Sequence, residues 1–367
     1  MRKIILISIV MLLSISSFSQ KNTSGFTVKC TMTNLSNGPV KLIVHRNSES
    51  ITIDSTVSVD GAFTFKGKVA VPELVYVVFA DAKKNINFFV ENSDITLNCD
   101  YQRLDKAVIK GSKTNREYQE VLAELGIYTN LTNETSNKYQ EAQNKKDVMA
   151  MQRYDSILNQ INDNKMKFLF DVAFTHNKSV VAPYIVLTKL VFYIELSVLD
   201  SIVNNFDKSI EASEYVKILK NRSDLLHKTE VGKEAPEIEM TDTNGVVFKL
   251  SSLRGKIVLI DFWASWCRPC RAENPNVVAA YAAYKDKGFD ILGVSLDQDK
   301  ASWLKAIKDD KLTWHHVSDL KYWSNAAAKL YGVNSIPHSV LIDKRGIIIA
   351  NNLRGEELKK KLDELIH

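Results

Sequence analysis

The chain has 367 residues, 45% of them apolar and 25% charged, and its 48 basic and 43 acidic side chains leave a formal net charge of +5. That length has room for two or three domains, and the composition is ordinary for a globular protein. A charge this mild, spread this evenly, excludes a reading as a nucleic-acid-binding protein.

Residues 1–19 read as an export signal. Arg2 and Lys3 form a basic start, residues 4–15 a nearly unbroken apolar core, and Ser17 and Ser19 are the small residues a signal peptidase requires, which places the cut before Gln20. The apolar core is shorter than the roughly 20 residues that span a bilayer. Cys30 is too far downstream for a lipid anchor. The expectation is an exported, periplasmic protein without stable membrane insertion; an uncleaved anchor is the other reading.

Residues 25–110 read as a small antiparallel all-β domain. Runs rich in Val, Ile, Thr and Phe recur at 27–31, 40–45, 51–57, 62–66, 74–80, 86–90 and 95–98. Turn residues separate them, and Asp60-Gly61 between two alternating runs is a hairpin signal. Cys30 and Cys99 lie in the first and last of these runs. In an oxidising compartment an even pair invites a disulfide; two small buried residues that never meet is the alternative. No catalytic constellation is visible here.

Residues 111–228 change texture to long polar-apolar stretches. Tyr154, Leu158, Ile161, Phe168 and Val172 fall near helical spacing. Further helices are expected over 180–196, 199–206 and 215–226, four or five in all, with the charge-rich 133–147 as a solvated face or loop.

The most informative stretch is 258–275, VLIDFWASWCRPCRAENP. An apolar run ending in a small-residue turn reads as a buried, parallel strand. Pro269 suits the first turn of the following helix, where a missing N–H costs nothing. Cys267 then stands at that helix's N-terminus, where free amides and the dipole favour a thiolate. Arg268 and Arg271 add positive charge nearby. Only a thiolate attacks a disulfide, which makes Cys267 the nucleophile and Cys270, one turn on, the residue that resolves the mixed disulfide. A structural disulfide over so short a loop would stabilise little. Zinc would need a second Cys or His pair at ligand spacing, and His315 and His316 are merely adjacent. No metal or cofactor is expected.

With residues 262–275 (FWASWCRPCRAENP), Tyr331-Gly332-Val333, Ile336-Pro337 and 340–343 (VLID), the segment 231–367 resembles the TlpA/ResA-like class of thiol-disulfide oxidoreductases in the thioredoxin-fold superfamily. The layout ahead of it is similar to the β domain of unassigned function found before such domains. The resemblance implies an α/β fold with a central mixed sheet flanked by helices. It also implies that Pro337 is cis, faces the cysteine pair, and with Ile336 receives the substrate chain, while Trp266, Arg268 and Pro269 support the pair. Asp261 matches the buried aspartate of thioredoxins, where several TlpA/ResA-like proteins carry Asn. Burial raises a carboxyl pKa, which suits Asp261 to shuttle a proton for Cys270. Glu273 matches the acidic residue that this class places near its active site; a solvated helix carboxylate is the other reading. His338 reads either as a titrating group beside the cysteines or as a surface histidine.

The activity implied is reduction of protein disulfides, with disulfide-bearing client proteins and a membrane electron donor of thiol-disulfide type as partners. Two other readings stand beside it. A thiol peroxidase would share the core, although Ser265 and Pro269 do not reproduce the PxxxTxxC pattern of peroxiredoxins. A partner-binding protein would use its first 230 residues for recognition and the last domain as a redox sensor. The class includes proteins of cytochrome c maturation, but no residue here points to haem, and oligomeric state leaves no motif.

Overall fold

The computed structural model describes residues 25–46, 49–81 and 84–366, so the expected signal at 1–19 lies outside the described residues. The chain divides into two compact units, one ending at Leu122 and the other beginning at Ala123.

The first unit contains β1 (Phe26–Thr33), β2 (Gly38–Arg46), β3 (Glu49–Ser58), β4 (Ala62–Gly67), β5 (Glu73–Phe79), β6 (Asn85–Val90), β7 (Asp94–Asp100) and β8 (Val108–Lys110). They form two four-stranded sheets, ordered β4-β1-β7-β8 and β3-β2-β5-β6. All seven expected strands are present; β8, three residues long, has too little pattern to announce itself. Alternation sets the inward faces, as in β1, where Phe26, Val28, Cys30 and Met32 are buried. Every neighbouring pair is antiparallel except β1 with β7. A parallel pair needs a long crossover in place of a hairpin, and five intervening strands supply it. Asp60 and Gly61 both have positive φ, +52° and +75°, as a type I′ turn requires. The strands it joins then part into different sheets, leaving a single Val59–Ala62 bridge between them. Cys30 and Cys99 are both free. The β1–β7 register sets Cys30 beside Leu97 and Cys99 beside Met32, so the two thiols are not paired across the ladder.

Helix α1 (Lys113–Asn144) is followed by α2 (Val148–Thr175), α3 (Val181–Ile185), α4 (Leu196–Asn205) and α5 (Glu214–His227), with a π-helical turn at Val186–Leu190. The charge-rich stretch is helical as far as Asn144 with a mostly exposed surface. Asp147 then caps α2 by accepting the N–H of Ala150 at 3.0 Å. Arg222 of α5 donates to the Gly332 carbonyl at 3.4 Å, tying this helix to the last part of the chain.

That last part opens with a hairpin of β9 (Glu239–Thr241) and β10 (Val247–Lys249). It continues as β11 (Ile257–Trp263), α6 (Arg268–Tyr284), β12 (Phe289–Ser295), α7 (Lys300–Asp309), β13 (His315–Val317), α8 (Ala326–Leu330), β14 (His338–Ile342), β15 (Ile348–Asn351) and α9 (Gly355–Leu365). The sheet order is β13-β12-β11-β14-β15. β11 lies at its centre, parallel to β12 and antiparallel to β14, with all seven residues buried. This is the expected mixed sheet, with α7 leading into the edge strand β13. Among the described residues no helix is long and apolar enough to cross a membrane.

Candidate functional site

The central strand delivers the chain to the site. After Trp263 the backbone turns through Ala264 and Ser265, and the N–H of Cys267 bonds the Ala264 carbonyl at 3.1 Å. Asp297, buried just beyond β12, holds this turn. Its carboxylate accepts the Ser265 N–H at 3.0 Å, the Ser265 hydroxyl at 2.5 Å and the Ser295 hydroxyl at 2.7 Å. A carboxylate with three local donors fixes the turn far more firmly than a neutral group would.

Cys267 is the N-cap residue of α6, with Pro269 in the first turn. Its Sγ accepts the N–H of Cys270 at 3.2 Å, the geometry in which a helix N-terminus stabilises sulfur anion. The two cysteines are joined by a disulfide, and both are buried, Cys267 at 4% exposure and Cys270 at 1%. Arg268 is exposed and makes no ion pair among the described residues. Arg271 behaves differently from the expectation that it adds charge beside the sulfur. Its guanidinium Nε and Nη2 both meet the Asp310 carboxylate, and Nη1 donates to the Ser265 carbonyl at 3.2 Å. Its charge is largely compensated by this fork-to-carboxylate pairing.

Asp261 is buried in β11, between Gly293 of β12 and Ser339 of β14. Burial pushes its carboxyl up to about 7; the nearby Glu273 charge adds to the rise and the Arg354 cation opposes it. Glu273 is half-buried. Its Oε1 accepts the N–H of Gly355, the first residue of α9, at 2.7 Å, and its Oε2 accepts from Asn276 at 3.1 Å. A carboxylate here satisfies an N–H that the helix itself leaves free.

The Ile336–Pro337 bond is cis. The Pro337 carbonyl accepts from Arg354 Nη2 at 2.6 Å. His338 fits neither of its two readings. It is half-buried against Phe262, with ring centroids 5.9 Å apart. Burial, then the Arg354 and Arg222 cations, push its pKa down to about 4, so it is neutral at neutral pH.

A groove of about 450 Å³ opens beside the disulfide, with Trp266, Cys267, Arg268, Pro269 and Ile336 in its wall. The structure thus brings five of the sequence-selected residues together on one surface, while Asp261, Cys270, Glu273 and Pro337 are not in its wall. Trp323, Asn334 and Ser335 complete the wall, and none of them carries a local sequence signal. The same holds for Asp297, whose only hint is an acidic residue directly after a buried strand, and for Arg354. Among the described residues no cluster of three or more His, Cys, Asp or Glu side chains is arranged to hold a metal.

Comparison with known proteins agrees with this geometry. The sequence model of the AhpC/TSA family matches residues 231–351, and that of a domain of unknown function (DUF4369) matches residues 26–118. Thiol-disulfide oxidoreductase ResA of Bacillus thuringiensis subsp. konkukian is 35% identical over 139 residues, covering 38% of this chain and 78% of the relative. ResA of Bacillus subtilis is 30% identical over 118 residues, covering 32% of this chain and 64% of the relative. Among solved structures, the thioredoxin domain of a thiol-disulfide oxidoreductase from Bacteroides vulgatus is 38% identical over 38% of this chain and 99% of its own, with a TM-score of 0.36. A thiol-disulfide oxidoreductase from Bacteroides fragilis is 36% identical over 36% of this chain and 100% of its own, with a TM-score of 0.35. A CxxC disulfide capping the helix after a central strand, a cis-proline directly after the groove residue Ile336 and 35% identity to a relative covered over 78% of its length lead to one conclusion: the chain belongs to the ResA/TlpA-like family of thiol-disulfide oxidoreductases.

Proposed function

We propose that this enzyme is exported and reduces disulfides in client proteins, with residues 231–367 as its catalytic domain behind a β domain at 25–110 and a helical segment at 111–228. The observation that carries the reading is Cys267 capping α6 with Cys270 one turn on. In the reduced enzyme the Cys267 thiolate attacks one sulfur of the client disulfide. The client's S–S bond breaks, its second sulfur leaves as a thiolate and takes a proton, and Cys267 is left in a mixed disulfide. Cys270 gives its proton to Asp261 and attacks Cys267. The client's first sulfur is expelled as a thiol, and two electrons have passed from the cysteine pair to the client. A thiol-disulfide donor at the membrane returns the Cys267–Cys270 disulfide to the dithiol. Trp266, Arg268, Pro269, Ile336 and Pro337 shape the docking groove, and Glu273 tunes Asp261.

The deciding experiment is the reduction potential of the pair in mature protein with Cys30 and Cys99 replaced by Ser. A value near about −270 mV, as in thioredoxin, supports a reductant; one near about −120 mV, as in DsbA, makes it an oxidant and overturns the direction. The AhpC/TSA match at residues 231–351 gives a thiol peroxidase reading a specific basis. Peroxide consumption that survives replacement of Cys270 would favour it.

A further inference from the structure

Three aromatic rings stand together at the cysteine pair with more than a third of each residue open to solvent: Trp266 at 44%, Tyr322 at 36% and Trp323 at 37%. The Trp266 ring centroid lies 5.1 Å from that of Tyr322 and 6.1 Å from that of Trp323. Apolar surface gathered in this way gains by being covered. The segment presenting the two outer rings is held in a costly backbone. Leu320 and Tyr322 have φ of +56° and +54°, a region bulky residues avoid unless their surroundings impose it. Asp319 imposes it: its carboxylate accepts from Lys321 N–H at 3.1 Å, Asn325 Nδ2 at 2.9 Å and Ala326 N–H at 2.9 Å. A separate observation lies on the same groove wall. The amide nitrogen of Asn334 is buried without a hydrogen-bond partner among the described residues, and such a donor calls for an acceptor.

We propose that this groove reads the sequence around the client's cysteine. A bulky apolar or aromatic side chain next to that cysteine stacks on Trp266 and Trp323 in the wall, which Tyr322 packs against, and Asn334 donates to a main-chain carbonyl of the same extended segment. The occupant follows from the position of Cys267 in the groove wall: whatever bonds to its sulfur must lay its neighbouring residues along that wall. The inference rests on Cys267 being the attacking sulfur and names the substrate class it selects.

The test uses full-length mature protein in which Cys30, Cys99 and Cys270 are Ser, so that Cys267 alone reacts. Two synthetic peptides are compared, with Phe or Gly beside a cysteine carried as its mixed disulfide with 2-nitro-5-thiobenzoate. Attack on the peptide sulfur releases the coloured thiolate. The Phe peptide should react about tenfold faster than the Gly peptide, the scale expected for covering one aromatic side chain. Trp323→Ala should bring the ratio to within about twofold of one, and Trp323→Phe should keep it, which separates lost recognition from lost folding. Asn334→Ala should slow both peptides about three- to tenfold with the ratio retained. A ratio near one in the parent protein, or an unchanged ratio in Trp323→Ala, overturns the subsite alone. Absence of reaction with either peptide overturns Cys267 as nucleophile, and the subsite with it.

Discussion

Glu273 and Gly355 are joined by a 2.7 Å hydrogen bond, so the helix bearing the cysteine pair and the helix closing the chain meet at the site. The same carboxylate raises the pKa of Asp261, while Arg354, next to Gly355, lowers it. Burial and two opposed side chains, one in α6 and one at the start of α9, therefore set the charge of one buried group.

Asp261→Asn should change the dependence of stability on pH. The folded protein holds this carboxyl at about 7 against an ordinary 3.8. Between those values the folded state keeps a proton that the unfolded chain has lost, so stability falls as pH rises from about 4 to about 7. The raised value corresponds to about 4 kcal/mol at most. In urea titrations of the oxidised protein, Asp261→Asn should match wild type near pH 4 and exceed it at pH 8. Equal pH slopes in the two proteins would refute the assignment.

The same variant should slow the second thiol exchange by about 100-fold at pH 7, the scale of a lost proton acceptor. Rapid-quench trapping should then show accumulated mixed disulfide at Cys267. A turnover equal to wild type would remove Asp261 from the proton path.

Arg354→Gln removes a cation that disfavours charge on His338 and favours it on Asp261. Both pKa values should therefore rise, His338 from about 4 and Asp261 from about 7. NMR titration of the His338 ring provides the measurement. A fall or no change would show that Arg354 does not set the local field.

Asp297→Ala leaves the Ser265 amide and two hydroxyls without their acceptor. Loss of about 2–4 kcal/mol in denaturant unfolding is expected for stranded buried donors. A loss below about 0.5 kcal/mol, the range of ordinary surface substitutions, would mean that water replaces the carboxylate.

Cys30 and Cys99 should stay reduced, since the structure leaves both free. Thiol titration of air-oxidised, denatured protein should count two thiols. Under native conditions Cys99 should react first, because Cys30 is buried and its thiol is pushed up to about 12. A count of zero would place a disulfide between them.

Much of this was readable locally. A strand of alternating residues, a helix of repeating apolar positions and a Cys-x-x-Cys between a strand and a helix are each encoded within about ten to twenty residues. Asp261 was legible for the same reason, as a carboxylate inside an apolar run. The compensation of Arg271 by Asp310, the capping of Gly355 by Glu273 and the neutrality of His338 were not. Each depends on residues far along the chain: Asp310 for Arg271, Gly355 for Glu273, and Arg354 and Arg222, besides burial, for His338.

The sequence alone therefore determined the seven longer strands of the β domain, the helical middle and the Cys267–Cys270 pair that the structure joins by a disulfide, because these depend on periodicity and on chemistry one helical turn apart. Only the tertiary structure decided which charges survive at the site and what surrounds it. Pairing β1 with β7, seating Asp297 under Ser265 and bringing Trp323 to Trp266 all require packing between segments distant in the chain. Burial, which sets the charge of Asp261 and His338, is likewise a property of the assembled sheet and not of any single stretch.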